Sequence, residues 1–156
     1  MFPSQFIVAD RIGHGLKIRS KKRLLEVLAE YLCIGDPSLT PEAVFEHLRE
    51  RERLGSTGLG HGIALPHARM EHVKEASGAF IQIQKGVSFD AIDDKPVDLA
   101  FALLVPESAN EMHLQLLSQL AIMFSDAQLR QNLREAQSPE QILELLQQRG
   151  NDPEDA

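Results

Sequence analysis

The 156-residue chain has one cysteine, no tryptophan and a single tyrosine. The lone Cys33 cannot close an internal disulfide, which excludes a stapled secreted scaffold. Its apolar helix setting makes it a buried, inert thiol. Long apolar runs are missing too. The longest, Leu99 to Val105, is far shorter than the ~20 residues a membrane helix needs. Near the N-terminus, Phe6-Ile7-Val8-Ala9 is broken by Asp10-Arg11, so no secretory apolar region forms. Positive charge is in deficit: 16 Lys and Arg stand against 23 Asp and Glu, for a net charge of −7 with neutral His. A surface of that sign argues against nonspecific binding to nucleic acid or anionic lipid. The expectation is a soluble, cytoplasmic domain with no nucleic-acid partner and no membrane insertion.

What is present supports a real core. Hydrophobic residues make up 43% of the chain and charged residues 25%, and the length suits one domain. No internal repeat or low-complexity block interrupts it. Ser20 can cap a helix over roughly 21–33, with Leu24, Leu25, Leu28, Tyr31 and Leu32 at helical spacing, ended by Gly35 and Pro37. Thr40-Pro41 starts a second helix, with Val44, Phe45 and Leu48 as its buried stripe. Ala79 to Gln84 alternates as a strand does, and Lys85-Gly86 is expected to turn the chain. Asp98 to Val105 reads as a strand buried on both faces, closed by Pro106. From about 109 to 124, Met112, Leu116, Leu117, Leu120 and Phe124 recur at helical spacing. Ser125 with Gln128 and Ser138 with Gln141 each fit a capping box. The final helix starts at Pro139 and ends at Gly150, so residues 1–150 form one domain and 151–156 a loose acidic tail. Helices, then strands, then helices give a single α/β domain, a sheet covered by helices; strand order does not follow from the pattern.

The unusual stretch is 55–67, Gly-Ser-Thr-Gly-Leu-Gly-His-Gly-Ile-Ala-Leu-Pro-His. Four glycines, Gly55, Gly58, Gly60 and Gly62, permit positive φ and close backbone approach. Successive backbone N–H groups in such a loop can form a concavity for an anion. An imidazole held there, His67, suits proton transfer or nucleophilic attack. The bland alternative is a glycine turn that merely turns, with a solvated histidine. The spacing matches neither the dinucleotide fingerprint nor the P-loop.

Six blocks occur in order: Ser20-Lys21-Lys22-Arg23; Arg51-Glu52 with Gly55-Ser56-Thr57-Gly58; Gly62-Ile63-Ala64-Leu65-Pro66-His67; Phe89-Asp90-Ala91-Ile92-Asp93; Pro96-Val97-Asp98-Leu99; and Phe101 through Pro106. Together, from about Ser20 to Arg149, they closely resemble the enzyme IIA domain of the phosphoenolpyruvate-dependent phosphotransferase system, mannitol/fructose type, with the stand-alone nitrogen-regulatory branch nearest. The resemblance implies a mixed β-sheet flanked by helices on both faces. It implies phosphorylation at His67 on the tele nitrogen, with Arg51 and His113 as the supporting arginine and histidine. Ser56, Thr57, Gly58, Gly60 and Gly62 then fall in a phosphate-binding loop. The implied donor is a small histidine phosphocarrier protein, charged by enzyme I and phosphoenolpyruvate. No cofactor or metal is implied. Two positions depart from the family's pattern: Ala68 stands where Gly is common, and His61 where Asn is common. Ala68 is strained only if that position needs positive φ.

These residues suit phosphoryl transfer between imidazoles, which runs through a loose transition state with charge on three equatorial oxygens. Backbone N–H groups and the Arg51 guanidinium can hold those oxygens. Each residue also has a plainer role. Arg51 lies in Glu50-Arg51-Glu52-Arg53, which alone reads as a solvated helix end, and His113 shares a face with Leu116, Leu117 and Leu120. His14 and His47 read as surface residues. Asp90, Asp93, Asp94, Asp98, Glu107 and Glu111 either keep loops soluble or rim a docking patch for a basic carrier protein. The leading function is a regulatory phosphocarrier whose phosphorylation state selects the target proteins it binds, since no permease or IIB domain fits in this chain. The alternative is a stand-alone IIA that passes phosphate to a sugar-permease IIB domain. A metal site from His61, His67 and His72 is the third, weak on spacing.

Overall fold

Helix α1 (Lys21–Leu32) begins where Ser20 Oγ accepts the Arg23 N–H at 3.1 Å. Helix α2 (Pro41–Arg53) begins where Thr40 Oγ1 accepts the Ala43 N–H at 3.3 Å, with Pro41 in the first turn. The structure, a computed structural model, describes residues 2–3 and 5–150, so the expected tail over 151–156 lies outside the described residues. Three helices close the chain: α3 (Asn110–Phe124), α4 (Ala127–Glu135) and α5 (Pro139–Gly150). The capping box expected at Ser125 does not form. Ser125 ends α3, its hydroxyl donating to the Ile122 carbonyl at 2.5 Å, and Asp126 caps α4 by accepting from the Gln128 and Leu129 N–H groups. A hydroxyl already satisfied by the preceding helix leaves the next start to its carboxylate neighbour. Ser138 does cap α5, accepting the Gln141 N–H at 3.1 Å, while Gln141 Oε1 reaches back to the Gln137 N–H at 2.7 Å.

Six strands make one mixed sheet: β1 (Ile12–Leu16), β2 (Gly58–Gly60), β3 (Ile63–Ala64), β4 (His67–Met70), β5 (Ser77–Val87) and β6 (Val97–Pro106). Their order is β1-β5-β6-β3-β2, with β4 also on β6. β1 runs parallel to β5, β5 antiparallel to β6, β3 and β4 parallel to β6, and β2 antiparallel to β3. β3 and β4 keep one register along β6, from Ile63 opposite Leu99 to His67 opposite Leu103. They are one strand interrupted at Leu65-Pro66, where the proline has no N–H to give. Lys85-Gly86 does not turn the chain: β5 continues to Val87 through an irregularity in its pairing with β6. A Cβ on Gly86 would lie 2.9 Å from Pro96 Cβ, so the glycine serves close packing there.

Alternate residues of β5 and β6 feed two cores. Ala79, Ile81, Ile83, Ala100, Ala102 and Leu104 pack with Leu24, Leu28, Val44 and Leu48 of α1 and α2. Phe80, Leu99, Phe101, Leu103 and Val105 pack with Leu116, Leu120, Leu133, Ile142 and Leu146 of α3, α4 and α5. Helices therefore cover both faces, and this is why β6 reads as a continuous apolar run. The fold is a single mixed α/β domain.

Candidate functional site

His67 opens β4 immediately after the Pro66 interruption. Ala68 and Met70 enter the α1/α2 core, so strand alternation sends His67 and Arg69 to the opposite side. The ring is half-buried and bonded at both nitrogens: Nδ1 lies 2.9 Å from the Leu65 carbonyl, and Nε2 lies 3.2 Å from Arg51 Nε. A carbonyl only accepts and a guanidinium only donates, so Nδ1 carries the proton and Nε2 presents its lone pair. Burial lowers the basicity of His67, and the Arg51 charge acts in the same direction, against the Leu65 bond and Glu52. The imidazole is thus neutral with its nucleophilic pair on Nε2, the tele nitrogen.

Arg51 comes from the last turn of α2, where its charge complements the helix end. Its guanidinium is braced by Nη1 donating to the Gly55 carbonyl at 2.9 Å. The next residue, Glu52, turns inward and is only 8% exposed. It accepts the Thr57 N–H at 2.9 Å and the Thr57 hydroxyl at 2.6 Å, and pairs with Lys21 Nζ at 3.0 Å. Sequence reading missed this carboxylate because of its charged neighbours. The signal was there: Val44, Leu48 and Glu52 fall four residues apart on one face, and all three are buried.

His113 lies in the first turn of α3, its ring centroid 5.2 Å from that of His67 in edge contact. Burial first, then coupling to the His67 ring and the charges of Arg69 and Arg51, pushes its pKa down to about 4, so it too is neutral. Arg69 Nη1 donates to Asn110 Oδ1 at the start of α3. Arg51, His67 and His113 are therefore brought together from α2, β4 and α3.

The glycine loop is held by its own hydrogen bonds. His61 and Gly62 both have positive φ, +58° and +82°, and form the tight turn between β2 and β3. Such hairpin turns favour Asn-Gly, so His61 stands here in a conformation that asparagine adopts readily, which gives it a conformational role. Asp93 Oδ2 accepts the His61 N–H at 2.9 Å. Arg134 of α4 donates to the His61 carbonyl at 2.6 Å and forks onto Asp98 at 2.8 and 3.0 Å. The Gly62 φ of +82° suits glycine, and a Cβ there would also crowd Asp98 Oδ1 at 2.7 Å. Gly60 also has positive φ, and the Gly58 N–H donates to Ser56 Oγ at 3.1 Å. The Ser56 hydroxyl donates to the Phe89 carbonyl at 2.8 Å. The N–H groups of Thr57, Gly58 and His61 thus already have acceptors within the chain. Ala68 is not among the residues with positive φ, so it carries no strain.

Two of the six acidic residues have structural work, Asp93 at the hairpin and Asp98 with Arg134. Asp90 lies 3.5 Å from Lys21. Large apolar side chains stand exposed on the segments that carry the site: Leu54 after Arg51 (84%), Ile92 beside Asp93 (88%) and Leu114 after His113 (67%). Among the described residues no three His, Cys, Asp or Glu side chains are placed to hold a metal ion, and no helix is long and apolar enough to cross a membrane.

The chain is similar to a nitrogen regulatory protein of Escherichia coli, 43% identical over 139 residues, covering 88% of this chain and 85% of that protein. Among solved structures it is similar to the nitrogen regulatory protein IIA-Ntr of Neisseria meningitidis, with a TM-score of 0.85 and 44% identity, covering 90% and 96% of the two chains. It is also similar to enzyme IIAMtl of Escherichia coli, solved in complex with phosphorylated enzyme IIBMtl. That TM-score is 0.77 with 26% identity, over 91% and 97% of the chains. The family model for "phosphoenolpyruvate-dependent sugar phosphotransferase system, EIIA 2" matches residues 5–149. The chain with this neutral histidine beside an arginine belongs to the EIIA 2 family of the phosphoenolpyruvate-dependent sugar phosphotransferase system.

Proposed function

We propose that the protein is a cytoplasmic phosphocarrier, phosphorylated reversibly on His67 Nε2 by a small histidine phosphocarrier protein, and that its phosphorylation state governs binding to regulatory targets. The observation that carries this is the two-sided bonding of His67, proton on Nδ1 and lone pair on Nε2. In the reaction the Nε2 pair attacks phosphorus while the donor imidazole leaves with the electrons of its broken P–N bond. The transition state is loose, so the work is positioning and charge stabilisation. The Nδ1 proton stays on the ring, and the Leu65 carbonyl stabilises the positive charge that develops there. Arg51 loses its bond to Nε2 as the P–N bond forms and turns its donors to the phosphoryl oxygens. His113, neutral, either donates to an oxygen or orients the His67 ring. The glycine loop shapes the rim rather than supplying the amides of Thr57, Gly58 or His61. The nitrogen-regulatory names of relatives at 43% and 44% identity favour a regulatory output.

Phosphoenolpyruvate, enzyme I and the carrier should give one acid-labile phosphate on this chain, assigned to Nε2 by NMR and absent in His67→Ala. Retained phosphate in that variant overturns the reading. A second reading, transfer onward to a IIB domain, draws on the IIAMtl relative that was solved with phosphorylated IIBMtl. Phosphate moving from the loaded protein to a IIB domain and sugar would favour it; phosphate retained there favours regulation.

A further inference from the structure

The first charged side chain beyond His67 on its own strand has no part in the scheme above. Arg69 follows His67 by two residues in β4, so the two share a face roughly 7 Å apart at the backbone. Arg69 is exposed, and among the described residues it pairs with no carboxylate. Its partner is a neutral amide: Nη1 donates to Asn110 Oδ1, in the first turn of α3. Arg69 is also near enough to His113 to depress its basicity, as is Arg51. Both guanidiniums therefore act on His113, Arg51 from α2 where it bonds His67 and Arg69 from β4 where it bonds Asn110. The buried carboxylate nearby, Glu52, is already committed to Thr57 and Lys21.

We propose that Arg69 is a second phosphate-holding cation, stored on Asn110 in the free protein and transferred to the phosphoryl group once His67 is loaded. This rests on the phosphohistidine reading and adds a readout to it. A phosphoryl group near two negative charges outcompetes a neutral amide oxygen for a guanidinium, because charge-assisted hydrogen bonds are about twice as strong. When Arg69 leaves, the first turn of α3 loses its tie. Backbone bonds still hold that turn, the His113 N–H donating to the Ala109 carbonyl at 2.9 Å, but Ala109 at its start supplies no side-chain cap, with φ −89° and ψ 61°. The same turn leads into the exposed Leu114. Phosphorylation at a strand would thus be converted into a change on a helix surface that a target protein can contact.

The test uses the full chain labelled with ¹⁵N and phosphorylated through phosphoenolpyruvate, enzyme I and the carrier. If wild type takes no phosphate on His67, the parent reading falls and this one with it. If it does, the Asn110 side-chain amide and the backbone amides of 110–114 should shift on loading. Arg69→Gln should load roughly ten-fold more slowly, lose its phosphate several-fold faster, and show Asn110 signals that ignore loading. Arg69→Lys should recover much of the rate. Asn110→Ala, with Arg69 already released, should load at least as fast as wild type. Normal loading of wild type together with unchanged rate and lifetime in Arg69→Gln overturns the proposal, as do Asn110 signals that stay still in loaded wild type.

Discussion

At the scale of single residues, the site is organised by what each atom is able to donate. The Leu65 carbonyl forces the proton onto Nδ1, and Arg51 Nε then finds the only lone pair left, on Nε2. In the proposed reaction Arg51 therefore orients the His67 ring beforehand and meets the phosphoryl oxygens as the bond forms. Arg51→Gln should lower the phosphotransfer rate about 100-fold, the order expected for removing a donor aimed at developing oxyanion charge. Its circular dichroism and urea midpoint should stay close to wild type, since the side chain is bonded to no buried acceptor beyond the site. A rate within a factor of three of wild type would remove Arg51 from the mechanism. His67 stood out from its own glycine-rich stretch, whereas Arg51 and His113 entered only through the family resemblance. Local pattern alone leaves Arg51 as a solvated helix end and His113 as a boundary residue, because a one-dimensional charge run does not say which way each side chain turns. Arg51 and its neighbour Glu52 point to different tasks one residue apart.

At the scale of elements, the last turn of α2 does two jobs. It aims Arg51 at His67, and through Glu52 it ties the start of the glycine loop. Glu52→Ala would leave the Thr57 N–H and hydroxyl without their acceptor in a buried setting. It should cost about 2–3 kcal/mol in urea unfolding, the sum of a lost charged hydrogen bond and an unsatisfied donor. A loss under about 0.5 kcal/mol would mean the loop holds its shape without the carboxylate. The helices were largely readable, since Ser20, Thr40 and Ser138 announce their starts chemically. The edge strands were not. β1 carries Gly13 and Gly15, which thin its apolar alternation, and β4 is only a four-residue piece, His-Ala-Arg-Met. Both are strands because β5 and β6 offer them partners, a tertiary cause that local pattern does not contain. The run at Lys85-Gly86 erred the other way: a turn dipeptide was overridden by continued pairing to Val87.

At the scale of the whole molecule, the two cores fix the relation between α2 on one side of the sheet and α3 on the other, and His67 stands where they meet. That placement gives the protein a definite pH response. His67 and His113 both have their basicity lowered in the folded chain, His113 to about 4, against an unfolded value of ~6.5. Below the unfolded value the unfolded chain binds more protons than the native one, so stability rises with pH and is lost as pH falls. This loss begins near pH ~6.5 and, for His113, continues until its folded pKa of about 4 is passed. His113→Asn should flatten the slope of unfolding free energy against pH in that window, measured by urea titrations at several pH values. The acceptor reaction follows the same chemistry at a different group. In the proposed reaction His67 attacks only while Nε2 is unprotonated, and its lowered basicity keeps it so below the ordinary histidine range. Loading should therefore hold its rate as pH drops from about 8 through ~6.5, where a free imidazole would already be half protonated. Below that it should decline with a single proton. A midpoint at or above ~6.5, measured with the donor in excess, would mean that burial and Arg51 do not set the protonation of the attacking ring.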